Sequence, residues 1–275
     1  MTDQGERANT NTLVIDTSYG STVGIVGREP ITETDSRTHV ERLQANIARA
    51  VDEAGLRPCD LDEIIVGVGP APFTGLRAGI VAAKALSFAT GAKLIGFDIL
   101  SAQSQWNLIR RSKAGTLGNV VDGDRYVLTL AVNDARRKQL YFQLELDSMT
   151  ASASVRTLID MDIDYPEHIV ERVNAAVLAF SEEHPGAQVV VDVIGHGAAK
   201  YASVFERMEH LGDISDESVL DQGAQGLSIF WLDAVSRHEL QPDAPVEPLY
   251  LRRPDAEVPN PLKHVLGHAG TTNAK

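Results

Sequence analysis

Gly67-Val68-Gly69-Pro70-Ala71-Pro72-Phe73-Thr74-Gly75-Leu76-Arg77-Ala78-Gly79 follows an apolar run, Ile64-Ile65-Val66, and opens an alanine-rich segment from Ile80 to Thr90. The order is strand, glycine–proline loop, helix. Such a loop can aim backbone N–H groups and the positive end of a helix at an anion. It can equally be a tight turn that lets a helix lie close to its parent strand. The spacing favours the turn. Gly67, Gly69, Gly75 and Gly79 do not match G-x-G-x-x-G, no Gly-Lys-Ser or Gly-Lys-Thr occurs, and Pro70 and Pro72 each remove a donor.

Working outward, Leu13-Val14-Ile15 reads as a buried strand, broken at Asp16-Thr17-Ser18-Tyr19-Gly20 and resumed from Thr22 to Val26 as a hairpin. A helix follows over 38–54, with Val40, Leu43, Ile47, Val51 and Ala54 on one face. Thr38 and Glu41 have the spacing of a capping box, and Gly55 stops the helix. The loop then leads into a helix over 74–89, closed by Gly91, and a short strand over 94–97. The polar stretch 110–124 reads as a loop and lobe boundary.

Beyond it the pattern returns. Strands over 126–132 and 139–146 flank a turn with Asp134, a helix spans 166–180, and Val189-Val190-Val191 is a strand. Gly195-His196-Gly197-Ala198 then turns into a helix expected over 199–209. In the last helix, 225–240, Leu227, Phe230, Trp231, Ala234 and Val235 read as core. An architecture is duplicated rather than a sequence: hairpin with aspartate at the bend, helix, strand, glycine loop, helix. That predicts an α/β fold of two lobes, 12–110 and 120–253, of the actin, sugar-kinase and heat-shock ATPase kind among the ribonuclease-H-like folds. The ends, 1–11 and 255–275, are expected to be disordered.

Composition narrows the function. The chain has 275 residues, is 43% hydrophobic and carries a net charge of −13, which argues against a broad basic surface for nucleic acid. Its basic clusters, Arg110-Arg111-Lys113 and Arg136-Arg137-Lys138, read as solvated loop charge. Cys59 is the only cysteine, so no disulfide within the chain and no cysteine metal site can form. The polar start has no apolar signal core, and no run is long enough to span a bilayer, so the expectation is a soluble, cytoplasmic protein.

Few residues point to chemistry. Asp16, Thr17 and Ser18 stand where an ATPase of this architecture holds Mg²⁺ and phosphate, with Asp192, Gly195 and Gly197 needed to complete the site. The alternative is a turn carboxylate bonded to its own backbone. His39 lacks a second histidine four residues on, where Leu43 stands, so no zinc helix forms and no metal ligands are assigned. No G-x-S-x-G occurs, and a His196–Asp192 pair would have no nucleophile beside it. Ala78, Ala82, Ala85 and Ala89 form a small-residue face, while Leu76, Ile80, Ala83 and Phe88 are available to face the sheet. That alanine face suits a second helix, within the chain or from a partner.

These residues resemble the TsaB (YeaZ) family. The strongest carrier is Gly69-Pro70-x-x-Phe73-Thr74-Gly75-Leu76-Arg77-x-Gly79. Ile15-Asp16-Thr17-Ser18, His39-x-Glu41-x-Leu43, Asp134-Ala135-Arg136-Arg137 with Tyr141, and Pro248-Leu249-Tyr250-Leu251-Arg252 support it in order, from about Leu13 to Arg253. Ala71-Pro72 replaces the Gly-Ser usual in the family. The resemblance implies a non-catalytic subunit, without cofactor, of the complex that makes threonylcarbamoyladenosine in tRNA. It implies association with the catalytic paralogue TsaD through first-lobe helices, a homodimer competing for that surface, the ATPase TsaE joining the pair, and tRNA met through the complex. The residues assigned to association are His39, Leu43, Ile47, Arg77, Ala78, Ala82 and Ala85, with Ala82→Glu expected to break the complex and spare the fold. Asp16, Thr17, Ser18, Gly195 and Gly197 would be a vestigial nucleotide site. The rival reading is a working ATP-dependent kinase or ATPase of the same fold.

Overall fold

The computed structural model describes residues 10–35, 38–116, 125–146 and 155–252. Strands β1 (Thr12–Asp16), β2 (Ser21–Ile25) and β3 (Ile31–Glu33) form an antiparallel meander. Helix α1 (His39–Glu53) crosses to β4 (Glu63–Gly67), which lies parallel to β1, and α2 (Phe73–Thr90) crosses to β5 (Lys93–Phe97), parallel to β4. Helix α3 (Ile99–Lys113) leaves this sheet. A second meander, β6 (Arg125–Asp134), β7 (Leu140–Leu146) and β8 (Arg156–Asp164), is followed by α4 (Pro166–Glu183) and β9 (Gln188–Ile194), parallel to β6. A 3-10 turn (Ala199–Tyr201) and α5 (Ala202–Phe205) lead to β10 (Leu211–Ser215), and α6 (Gly223–Leu240) ends the ordered elements.

The sheet orders are β3-β2-β1-β4-β5 and β10-β9-β6-β7-β8. Numbered from the first strand of each meander, both read 3-2-1-4-5. The duplicated two-lobed fold expected from the sequence is therefore present.

Side-chain alternation places the layers. In the first sheet Leu13, Ile15, Ile64 and Val66 face α1 and α2, while Val14 and Ile65 face the other way with Ile95 and Phe97. Both faces are covered, so β1 and β4 are continuous apolar runs. The inner layer is α3 and α6, whose Leu100, Trp106, Leu227 and Phe230 join the two sheets in one core. Leu128, Leu130, Val132, Val191 and Val193 of the second sheet pack outward on Ile169, Val173 and Phe180 of α4. The aromatic side of α6 is core as expected, and the half-buried Trp231 donates its Nε1–H to Glu63 at 2.9 Å.

Several local expectations change. Arg110, Arg111 and Lys113 end α3 instead of forming a loop. Arg110 and Arg111 both pair with Asp192, and Arg110 also with Asp213. The helix expected over 199–209 shrinks to the 3-10 turn and α5, and β3, β8 and β10 were not foreseen. Thr38 makes no side-chain cap; its carbonyl accepts Arg42 N–H at 3.0 Å, so helical bonding begins there without a capping box. Asn11 is anchored, with its N–H on the Asp62 carboxylate at 2.8 Å. Residues 1–9, 117–124 and 253–275 lie outside the described residues, so the expectations for them do too.

Candidate functional site

The quoted loop is a close-packing device. A Cβ on Gly67 would lie 1.9 Å from Asp16 Oδ2, and one on Gly79 would lie 2.7 Å from Thr17 Oγ1. The missing side chains let β4 and α2 close over the turn between β1 and β2. Three anchors hold the intervening loop. Gly69 C=O accepts Ile99 N–H at 2.9 Å, Pro70 C=O accepts Asn133 Nδ2–H at 3.3 Å, and Ala71 C=O accepts the Tyr141 hydroxyl at 3.3 Å. Asn133 also donates to Ser18 C=O at 3.3 Å, so one buried amide of β6 ties both first-lobe turns to the second lobe.

Between the lobes lies a cleft of about 390 Å³, bounded by Thr17–Gly20, the start of α2 and the β6–β7 turn. Beside it a recess of about 40 Å³ is lined by Asp16, Asn133, His196, Ser218 and Asp221. Asp16 is buried at the bottom. Its Oδ1 accepts Ser18 N–H and its Oδ2 accepts the Ser18 hydroxyl, each at 2.8 Å. Burial pushes its carboxyl above the usual range, against the pull of both Ser18 bonds and His196. This is the turn-carboxylate arrangement, with both oxygens engaged.

The second glycine turn is also occupied. Asp216 Oδ1 accepts Gly197 N–H and Ala199 N–H, both at 2.9 Å. A carboxylate of the chain thus sits on amides that a phosphate would need. His196 stacks on Tyr19 with ring centroids 3.8 Å apart, and its Nε2 lies 2.9 Å from Asp221 Oδ2. Burial raises Asp221, but the His196 ring and Ser218 N–H together hold it below the ordinary range. His196 does not pair with Asp192, the partner the sequence offered across the glycine turn. Asp192 is fully buried elsewhere, bonded by Arg111, Asn107 and Asp213 N–H, and it contributes nothing to this cleft. Its burial would raise it, yet the Arg111 bonds and the amide keep it below the usual value.

The residues assigned to association divide by burial. Leu43, Ile47 and Ala82 are buried where α1 packs on α2, Ala78 is half-buried, and Arg77 and Ala85 are exposed. The backbone of His39 starts α1; its side chain lies outside the described residues. Phe88, expected against the sheet, is instead 94% exposed. Arg77 is held by the C-terminal segment: its Nε–H donates to Tyr250 Oη at 2.6 Å, and its guanidinium lies 4.0 Å over Phe73, which stacks on Tyr250. Sequence reasoning missed Asp216, Asp221 and the Tyr19–His196 stack. Only Asp221 had a signal, since Ser218-x-x-Asp221 has capping-box spacing and forms one. Among the described residues no group of three or more His, Cys, Asp or Glu side chains is placed to hold a metal, and no helix is long and apolar enough to cross a membrane.

The family model described as TsaD, tRNA N6-adenosine threonylcarbamoyltransferase, matches residues 27–259. An uncharacterized protein of Mycobacterium tuberculosis is 32% identical over 252 residues, covering 89% of this chain and 93% of that one. A tRNA N6-adenosine threonylcarbamoyltransferase of Cereibacter sphaeroides is 36% identical over 101 residues, covering 37% of this chain and 27% of its own length. Among solved structures, YeaZ from Pseudomonas aeruginosa superposes with a TM-score of 0.59 at 21% identity, over 88% of this chain and 100% of that one. The Mycobacterium tuberculosis protein and, in fold, YeaZ are thus matched over nearly their full length, while the named transferase is matched over about a quarter of its length. The chain belongs to the TsaD family, and its fold is that of YeaZ.

Proposed function

We propose that this chain is a non-catalytic partner subunit in the formation of threonylcarbamoyladenosine in tRNA, acting in the cytoplasm to stabilise and position a TsaD-type paralogue. The observation that carries this reading is the outer face of α2. Val81, Ala85 and Phe88 stand at i, i+4 and i+7, Val81 is 64% and Phe88 94% exposed, and Ala85 is exposed between them. Beside them Ile47, Val51, Leu56, Pro58 and Leu86 line a groove of about 780 Å³ between α1 and α2. An apolar stripe of this kind on an 18-residue helix fits a helix-pair partner. A TsaE-type ATPase joins the resulting pair, and a homodimer competes for the same face. The lobes of the partner-free chain have their turn amides and carboxylates satisfied internally, which supports a positioning role over a nucleotide-driven one.

The test is a reconstitution. A TsaD-type enzyme, a TsaE-type ATPase, the threonylcarbamoyl-adenylate supply and unmodified tRNA are mixed with and without this chain. Modification that needs the chain, survives Asp16→Ala and is lost in Phe88→Glu supports the reading. Modification indifferent to the chain overturns it, and Mg-ATP turnover abolished by Asp16→Ala would favour the ATPase alternative.

A further inference from the structure

Beyond α6 the chain runs on over 241–252 without helix or strand and crosses from one lobe to the other. Val246 and Leu249 pack on the first-lobe core, and a Cβ on Gly96 of β5 would lie 3.4 Å from Val246 Cγ1. Leu249 N–H donates to Val68 C=O at 2.9 Å. Leu251 then joins the core shared by the two sheets. Arg252 reaches the second lobe, where it donates to Gln139 Oε1 at 2.8 Å and to the Arg136 carbonyl at 3.5 Å. Leu249 and Leu251 alternate with Tyr250 and Arg252, the pattern of an extended chain with one side on the body.

The last residues of this segment grip opposite walls of the cleft. Phe73 lines it from the first lobe and Arg136 from the second. Tyr250 stacks on Phe73 with ring centroids 5.1 Å apart, and its Oη accepts Arg77 Nε–H at 2.6 Å. Two residues on, Arg252 holds the turn that carries Arg136. Glu247 adds an ion pair with Lys84 at 3.1 Å.

The grip differs in kind from the other ties between the lobes. The Asn133 amide on the Ser18 and Pro70 carbonyls is buried, as is the Tyr141 hydroxyl on Ala71 C=O. No residue of 241–252 is buried, and the Arg77–Tyr250 bond and the Lys84–Glu247 pair are exposed. Contacts open to water each contribute little, so the end of the segment can let go while both lobes stay folded. Pro242, Pro245 and Pro248 stiffen the approach, which limits the entropy lost when it docks again.

We infer that residues 246–252 form a releasable strap that sets the separation of the two lobes across the cleft. With Leu249 fixed on Val68, the Tyr250–Arg252 end latches the first-lobe wall to the second-lobe turn. When that end lets go, the lobes pivot about the buried Asn133 and Tyr141 bonds and the cleft widens. The strap works on the chain alone, so it stands or falls apart from the partner-subunit reading.

The test measures the lobe separation in the full chain by double electron–electron resonance. One spin label sits on Cys59, exposed ahead of β4, and the other on Glu182→Cys, exposed in the last turn of α4. The otherwise unaltered chain should give one narrow distance. Tyr250→Ser cuts the first-lobe anchor and Arg252→Ser the second-lobe one; each should broaden the distribution about twofold toward a more open form. Tyr250→Phe with Arg252→Lys, which keeps the ring stack and the charge, should stay close to wild type. Melting curves check that the variants fold, and Tyr250→Leu stands in if the serine variant melts early. Unchanged distances in both single variants overturn the inference. So does a change in only one of them, since a strap fails when either end is cut. Equal broadening in the conservative double variant overturns it as well, because the stack and the charge would then not be what holds the lobes.

Discussion

The two lobes share one strand order and differ in the crossover that follows the fourth strand. In the first, β4 feeds α2, an 18-residue helix of about 27 Å whose far side is bare and apolar. In the second, β9 feeds only a 3-10 turn and the four-residue α5. The cause is local. Gly195 and Gly197 have φ of 122° and 103°, which no helix can use, and Asp216 takes the amides that would start one. The hairpin turns diverge in the opposite sense. Asp16 is sealed under α2, while its counterpart Asp134 sits at an exposed cationic tip. One duplicated frame thus offers a helix face on one lobe and a charged turn on the other.

The largest expected effect tests what replaces the missing helix. In the second lobe β9 is fixed to α3 through Asp192. Asp192→Ala leaves Arg111, whose side chain is only 14% exposed, without its partner, and should cost about 3–5 kcal/mol. A melting curve reads it directly. The folded pKa of Asp192 lies below its ordinary 3.8, so the stability it brings is present above that value and is lost as pH falls through the folded one. The wild type should converge on the variant in acid.

The next contrast lies within α2. Ala82 is 5% exposed and faces α1, so Ala82→Glu buries a carboxylate and should destabilise the first lobe by about 2–3 kcal/mol. The sequence had made this substitution a clean probe of association; its burial disqualifies it. Phe88→Glu, one and a half turns away on the open face, should leave the melting temperature within about 0.5 kcal/mol of wild type and abolish partner docking on a sizing column. Equal destabilisation by both would mean that the two faces of α2 are not distinct.

A smaller effect concerns the C-terminal segment, which crosses the same helix. Tyr250 carries the Phe73 stack and the Arg77 bond, and Lys84 pairs with Glu247 at 3.1 Å. Tyr250→Ala should cost about 1 kcal/mol and speed exchange of the Leu249 amide, which bonds Val68 C=O at 2.9 Å. Unchanged exchange would show that Val246 and Leu249 hold the segment alone.

What the sequence disclosed follows from where its signal was periodic. β1, β4, β6 and β9 are buried on both faces and read as unbroken apolar runs, and α1, α4 and α6 repeat at three and four residues. β3, β8 and β10 lie at sheet edges with mixed, half-exposed patterns, and so gave no such run. α3 was hidden for a different reason. Ser101, Gln103, Ser104 and Asn107 are buried polar residues, which breaks apolar periodicity, and its last turn of Arg110, Arg111 and Lys113 looks like loop. At the cleft, Asp16 and Gly195–Gly197 were visible as turn chemistry. Their partners, Ser218–Asp221 and Asp216, come from a segment that only the β9–β10 pairing brings alongside.

The comparison of the two hairpin aspartates can be sharpened by the smallest change. Burial raises Asp16, so between its ordinary 3.8 and its folded value the native state binds more protons than the unfolded chain. Its contribution to stability is full below 3.8 and is lost as pH rises through the folded value, the reverse of Asp192. Asp16→Asn removes that slope while keeping an oxygen for one Ser18 bond. The variant should match wild type in acid and exceed it at neutral pH by somewhat less than about 1 kcal/mol, since one hydrogen bond is weakened in exchange. A wild-type advantage at neutral pH in the Asp16 comparison would mean that the buried carboxylate is held for its charge, and the vestigial-site reading of this turn would have to give way to a working one.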